Sequence, residues 1–128
     1  MQIDPDMPIL VVDDYVQVQR IICNLLREIG FNNTATAANG AAALKLLRRR
    51  EFGLVISDWN MEPMTGLQLL EEMRQDEKLH DLPFMMVTAE SKTEHVMRAR
   101  EAGVDCYVLK PFTSMTLKEK MEQVYLQL

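Results

Sequence analysis

Leu54-Val55-Ile56-Ser57-Asp58-Trp59-Asn60 begins as an unbroken apolar run and ends in a carboxylate. Apolar residues that follow one another without alternation, between polar or breaker neighbours, read as a strand covered on both faces. Runs of the same kind are Ile9-Leu10-Val11-Val12, Phe84-Met85-Met86-Val87 and Tyr107-Val108-Leu109, with a weaker one at Thr34 to Ala37. The segments between them carry the other period. Val18, Ile22, Leu25 and Ile29 form one helical stripe, and Leu117, Met121, Val124 and Leu128 another. An alanine-rich stretch from about Gly40 to Arg50 and a stretch from about Leu67 to Gln75 also read as helices. Gly30 and Gly103 stand where the first and fourth helices should stop, Ser91 with Glu94 has capping-box spacing, and Asp14 is a candidate cap of the first helix. Five strands alternating with five helices predict an α/β sandwich around a parallel sheet. No repeat, low-complexity tract or linker interrupts the alternation, so residues 1–128 are expected to form one domain.

Bulk properties narrow the function. A net charge of -5 gives no reason to expect a nucleic-acid or membrane surface as partner, since those call for clustered basic residues. A protein partner is expected. Cys23 and Cys106 have no neighbouring cysteine and read as reduced core residues of a cytoplasmic protein. Met1 to Leu10 lacks the apolar run of a signal peptide, and no stretch reaches the roughly 18 apolar residues of a membrane span.

In an open parallel sheet, ligands bind beyond the carboxyl ends of the strands. The residues there are Asp13-Asp14, Ser57-Asp58-Trp59-Asn60, Thr88-Ala89 and Lys110-Pro111. Three carboxylates on one rim would repel one another unless a divalent cation neutralised them, and hard oxygen donors suit Mg²⁺. A carboxylate held there is an oriented nucleophile, and an incoming phosphoryl group would meet the metal and Lys110. Thr88 and the Ala89 amide could donate to the remaining phosphoryl oxygens. As mere strand-end turn formers these acids would need no lysine beside them; together with Lys110 they favour a site.

Four strings carry a family resemblance: Val11-Val12-Asp13-Asp14, Ser57-Asp58-Trp59-Asn60-Met61, Val87-Thr88-Ala89-Glu90 and Tyr107-Val108-Leu109-Lys110-Pro111-Phe112. In this order and spacing the chain resembles, over essentially its whole length, the receiver domains of two-component response regulators, in their single-domain chemotaxis (CheY-type) branch. The resemblance implies a flavodoxin-like three-layer sandwich with strand order 2-1-3-4-5. It makes Asp58 the phosphoacceptor, Asp14 a direct Mg²⁺ ligand, Asp13 the holder of metal-bound water, and the Asn60 carbonyl a further ligand. Thr88 and Lys110 would grip the phosphoryl group, and Thr88 and Tyr107 would form the switch. The Lys110-Pro111 bond would be cis. The output face would run from about Ser91 to Gln127. The implied partners are a histidine kinase and a protein target such as a flagellar motor switch component, and a monomer is expected.

Two departures stand in the loop after the acceptor, where similar proteins place a proline directly after the equivalent of Met61 and an acid before the glycine. Here the string is Glu62-Pro63-Met64-Thr65-Gly66. Pro63 should hold Glu62 extended, with its carboxylate near the acidic rim. The expected consequence is altered kinase contact or hydrolysis rate.

Other features read more plainly. Trp59 is expected as a partly exposed lid. His80 and His95 fall in loop and helix surface without a metal partner, and Arg48-Arg49-Arg50 reads as a solvated helix end. Met85, Met86 and Met121 fall at core positions, and Met64, Met97 and Met115 are the candidates for exposure. With no output domain seen, the output is expected to be an intermolecular contact. Two alternatives share the fold: a phosphate sink for a kinase, and a module binding a cyclic dinucleotide through its arginines. Hydrolysis of external substrates by an aspartyl-phosphate route is rejected, because the general acid two residues after Asp58 would be Asn60, an amide. Slow self-dephosphorylation is compatible with the site, with Asn60 and Glu90 tuning its rate.

Overall fold

A computed structural model describes residues 3–126. The strands are β1 (Ile9–Val12), β2 (Thr34–Ala37), β3 (Leu54–Ser57), β4 (Phe84–Thr88) and β5 (Cys106–Leu109). They alternate with helices α1 (Val16–Glu28), α2 (Gly40–Arg49), α3 (Gly66–Gln75), α4 (Thr93–Glu101) and α5 (Ser114–Leu126). All pairings are parallel and the order is β2-β1-β3-β4-β5, as expected from the resemblance.

The continuous apolar runs are explained by burial on both sheet faces. Ile9, Val11, Leu54, Ile56, Met85, Val87 and Val108 pack with Ile22 and Leu26 of α1 and Leu117, Met121 and Val124 of α5. Their chain neighbours Leu10, Val12, Val55, Phe84 and Met86 point the other way, onto Leu44 and Leu47 of α2, Leu70 and Met73 of α3 and Ala99 of α4. The two-residue period of the strands thus splits the core into two halves, one on each side of the sheet. Leu128 of the α5 stripe and Gln127 of the output face lie outside the described residues.

Gly30 and Gly103 end α1 and α4 with φ of 100° and 95°. In each case the next residue's N–H returns to the last turn, Phe31 to the Leu26 carbonyl at 2.9 Å and Val104 to the Ala99 carbonyl at 3.0 Å. This closure requires the left-handed conformation that glycine adopts without strain. The helix starts differ from expectation. Asp14 does not cap α1: Tyr15 is the N-cap and has no side-chain cap bond. The Ser91–Glu94 capping box is not formed either, because α4 starts one place later, from Lys92. A capping box forms instead on α3, between Thr65 and Gln68. Cys23 and Cys106 are free and half-buried rather than fully in the core. Met97 and Met115 are exposed as expected, whereas Met64 is partly buried against the α2 and α3 side of the core.

Candidate functional site

The parallel pairing aligns the ends of β1 and β3, with Val12 opposite Ser57. Asp13 and Asp58 therefore leave the sheet side by side. The Asp58 N–H donates to the Val12 carbonyl at 3.0 Å, and the Asp13 N–H to the Ala37 carbonyl at 3.1 Å, so the backbone on both sides of the site belongs to the sheet.

Asp13, Asp14 and Asp58 each present a carboxylate oxygen within 4.8 Å of the others. Asp13 is buried, Asp58 half-buried and Asp14 exposed. No other group of His, Cys, Asp or Glu among the described residues has metal-binding spacing. From just beyond β5, Lys110 reaches across with Nζ 3.1 Å from Asp13 Oδ2 and 3.5 Å from Asp58 Oδ2. One cation facing three carboxylates leaves negative charge uncompensated, and all-oxygen donors of this kind fit a hard divalent cation.

The Asp13 carboxylate is held at both ends, since its Oδ1 accepts from the Tyr15 N–H at 3.0 Å. The Asp58 Oδ1 accepts from the Trp59 N–H at 2.7 Å, which fixes the rotation of that carboxylate. Thr88 is buried at the end of β4, its Oγ1 accepting from the Glu90 N–H at 3.3 Å. Tyr107 donates from its hydroxyl to the Glu90 carbonyl at 2.6 Å. Burial raises the Tyr107 phenol pKa above its ordinary value, and the nearby Glu90 and Asp58 carboxylates push the same way. Asn60 is exposed at the mouth and donates from Nδ2 to Glu90 Oε1 at 2.9 Å. The expected site residues are thus gathered on one rim, and the Lys110-Pro111 bond is cis.

The departing loop follows the rim. Glu62 and Thr65 line a shallow recess of about 380 Å³ together with Asp14, Asn60 and Met61, so Glu62 does face the acidic edge. The Glu62-Pro63 bond is cis. Trp59 departs from expectation: it is 6% exposed, no lid. Its ring meets His95 edge-on at 5.1 Å, and the Arg98 guanidinium lies 5.8 Å from its centre. His95 correspondingly is partly buried rather than on the helix surface.

Gln19 and Gly66, close to the site, went unread in the sequence, and His95 was read only as helix surface. Gln19, buried on α1, donates from Nε2 to the Asp13 carbonyl at 2.7 Å. Its signal was a polar residue one place after Val18, inside an otherwise apolar stripe. Gly66 opens α3 against Asp58: a Cβ there would overlap the Asp58 carbonyl oxygen. His95 carried no signal, since only the fold brings it to Trp59.

Comparison with known proteins follows the same lines. The family model for the response regulator receiver domain matches residues 9–122. The chain is 50% identical over 119 residues to the chemotaxis protein CheY of Pseudomonas aeruginosa, covering 93% of this chain and 96% of the relative. It is 47% identical over 123 residues to the chemotaxis protein CheY-3 of Vibrio cholerae, covering 96% and 95%. Among solved structures, the chemotaxis response regulator CheY4 of Vibrio cholerae superposes with a TM-score of 0.85 at 28% identity, covering 93% of this chain and 98% of that one. The signal receiver domain of a histidine kinase from Syntrophus aciditrophicus gives 0.85 at 26% identity, covering 95% and 92%. These likenesses do not favour the cyclic-dinucleotide or phosphate-sink alternatives.

Proposed function

We propose, on the premise that the chain belongs to the response regulator receiver domain family, that residues 1–128 act as one receiver in chemotaxis or flagellar motor control, accepting a phosphoryl group on Asp58 from a histidine kinase. The observation carrying this reading is the position of Asp58, half-buried beside two further carboxylates with Lys110 Nζ 3.5 Å away.

Asp14, Asp58 and the Asn60 carbonyl would hold Mg²⁺ directly, with Asp13 acting through water. When bound, the ion would neutralise the acidic rim and meet the charge of the transferring phosphoryl oxygens. A carboxylate oxygen of Asp58 attacks phosphorus as the phosphorus–nitrogen bond to the kinase's imidazole breaks, and the electron pair leaves on that imidazole. Lys110 shifts from the carboxylates toward the new phosphoryl oxygens, and Thr88 gives up its bond from Glu90 to donate to them. The freed Glu90 segment then lets Tyr107 repack, which changes the face formed by α4, β5 and α5. Exposed Met97, Leu109 and Met115 offer that face apolar anchors for a protein target, proposed to be a flagellar motor switch component. The chain is a signalling protein that serves as its own substrate, and Asn60 supplies no acid for turning over others. Among the described residues no helix is long and apolar enough to cross a membrane, and we place the protein in the cytoplasm as a monomer without a nucleic-acid ligand.

Intact mass measured with Mg²⁺ and phosphoramidate tests the acceptor. One phosphoryl adduct on wild type and none on Asp58→Asn is expected. An adduct on both, or on neither, would refute the assignment.

A further inference from the structure

Glu90 divides its carboxylate between two neighbours. Oε1 accepts from Asn60 Nδ2 at 2.9 Å, over the mouth of the site, while Oε2 stands 3.9 Å from His95 Nδ1 on α4. That nitrogen is buried and has no hydrogen-bond partner among the described residues, an exception to the rule that buried polar atoms are paired. The ring packs in a T-shaped pair against buried Trp59, the residue next to Asp58, which restrains its rotation.

Given the proposed phosphorylation of Asp58, we infer that His95 is a positioning residue that competes with Asn60 for Glu90 and thereby sets the lifetime of the phosphoryl group. The two positions of Glu90 differ in what they leave free. With Glu90 on Asn60, an amide N–H is taken up and the Asn60 side chain is held to the carboxylate over the mouth of the site. A movement of about 1 Å, within ordinary side-chain adjustment, brings Oε2 to the His95 Nδ1–H at hydrogen-bond distance. A neutral imidazole carrying its proton on Nδ1 is already a donor to a carboxylate, so the exchange requires no change of charge. Asn60 is then free to orient water. The water oxygen bonds to phosphorus as the bond to the Asp58 oxygen breaks. The electron pair returns to the Asp58 carboxylate, and inorganic phosphate leaves while the water's proton passes to solvent. His95 therefore favours hydrolysis without touching the reacting atoms.

The ring and the donor can be separated by substitution. His95→Phe keeps an aromatic edge on Trp59 and deletes Nδ1, whereas His95→Asn loses the ring and keeps an amide nitrogen close to the position of Nδ1. After loading with phosphoramidate and Mg²⁺ and removal of the donor, adduct decay is followed by intact mass. The inference expects decay slowed about threefold to tenfold in His95→Phe, the factor associated with one hydrogen bond, and restored toward wild type in His95→Asn. A packing role alone predicts the reverse order, with His95→Phe like wild type, and that result would overturn the inference while leaving the acceptor assignment intact. Absence of any adduct on wild type would overturn both. Nitrogen NMR of the wild-type imidazole needs no variant to fold: the Nδ1 signal should move to its hydrogen-bonded position on loading, and an unchanged signal counts against the exchange.

Discussion

Gln19 Nε2 donates to the backbone carbonyl of Asp13 at 2.7 Å, and both residues are buried. The same nitrogen lies 3.4 Å from the Ala37 carbonyl, so one side chain of α1 ties the end of β1 to the end of β2 beneath the acidic rim. Gln19→Leu keeps the volume but leaves the Asp13 carbonyl without this donor. A buried acceptor stripped of its partner costs about 1 to 3 kcal/mol, which urea unfolding followed by Trp59 fluorescence should detect. Loosening Asp13 should also weaken Mg²⁺ binding. Unchanged stability together with unchanged Mg²⁺ affinity would show that Gln19 does not hold the rim.

Gly66 meets Asp58 from the opposite side. Its N–H donates to the Trp59 carbonyl at 2.9 Å, and its Cα faces the Asp58 carbonyl so closely that a methyl group would overlap backbone. A flexible side chain could move aside, but a carbonyl held beside a strand end cannot. Gly66→Ala should therefore destabilise the fold by roughly 1 to 3 kcal/mol and slow phosphorylation through displacement of Asp58. A variant as stable and as fast as wild type would mean that α3 can retreat without disturbing the acceptor.

Electrostatics of the rim predict that stability and function oppose each other at Asp58. Without a divalent cation, Asp58→Asn removes a carboxylate that faces two others, at the cost of a 3.5 Å contact with Lys110 that Asp13 already shares more closely. The substitution should raise stability by on the order of 1 kcal/mol in EDTA. Mg²⁺ reverses the comparison. A ligand at a hundredfold excess over its Kd stabilises the folded state by about 2.7 kcal/mol, a gain wild type should show and the variant largely lack. Thermal unfolding of both proteins with and without Mg²⁺ is the measurement, and equal gains in the two would remove Asp58 from the metal site.

The legible part of the molecule was what each residue declares through its own period or chemistry. Runs such as Ile9 to Val12 announce burial on two faces, and that burial is observed; strand-end acids with a lysine announce a shared rim, and Asp13, Asp14, Asp58 and Lys110 are gathered on one. Failures came where tertiary packing decides. Trp59 reads as a partly exposed lid in the chain, yet His95 and Arg98 of α4 cover it, and nothing local to residue 59 encodes that. Asp14 has the chemistry of a cap but stands on the rim, and the N-cap of α1 is Tyr15, whose side chain makes no cap bond. On α4, where Ala99 alone is buried, little packing fixes the start, and the apparent capping box at Ser91 was misplaced by one residue. Strand order came from family resemblance, because periodicity says which faces are apolar and not which strands are neighbours.

Far from the rim, Tyr125 fixes the response to alkali. Its hydroxyl donates to the Gly53 carbonyl, with Met7 Sδ 3.0 Å away, and burial, assisted by the Asp105 charge, pushes its pKa up to about 12. Below the ordinary phenol value of 10.0 both the folded and the unfolded chain keep the proton, and the stabilisation is complete. Between there and about pH 12 the unfolded chain ionises first, so unfolding releases a proton and stability falls as pH rises. Tyr107, also raised by burial, adds a slope of the same sign. Tyr125→Phe should cost about 1 kcal/mol at neutral pH for the lost hydrogen bond, yet lose less stability than wild type as the solution is made alkaline. Urea unfolding across that range compares the slopes. If Tyr125→Phe declined as steeply as wild type, the alkaline loss would belong to other groups, and the buried hydroxyl would serve only to bind Gly53.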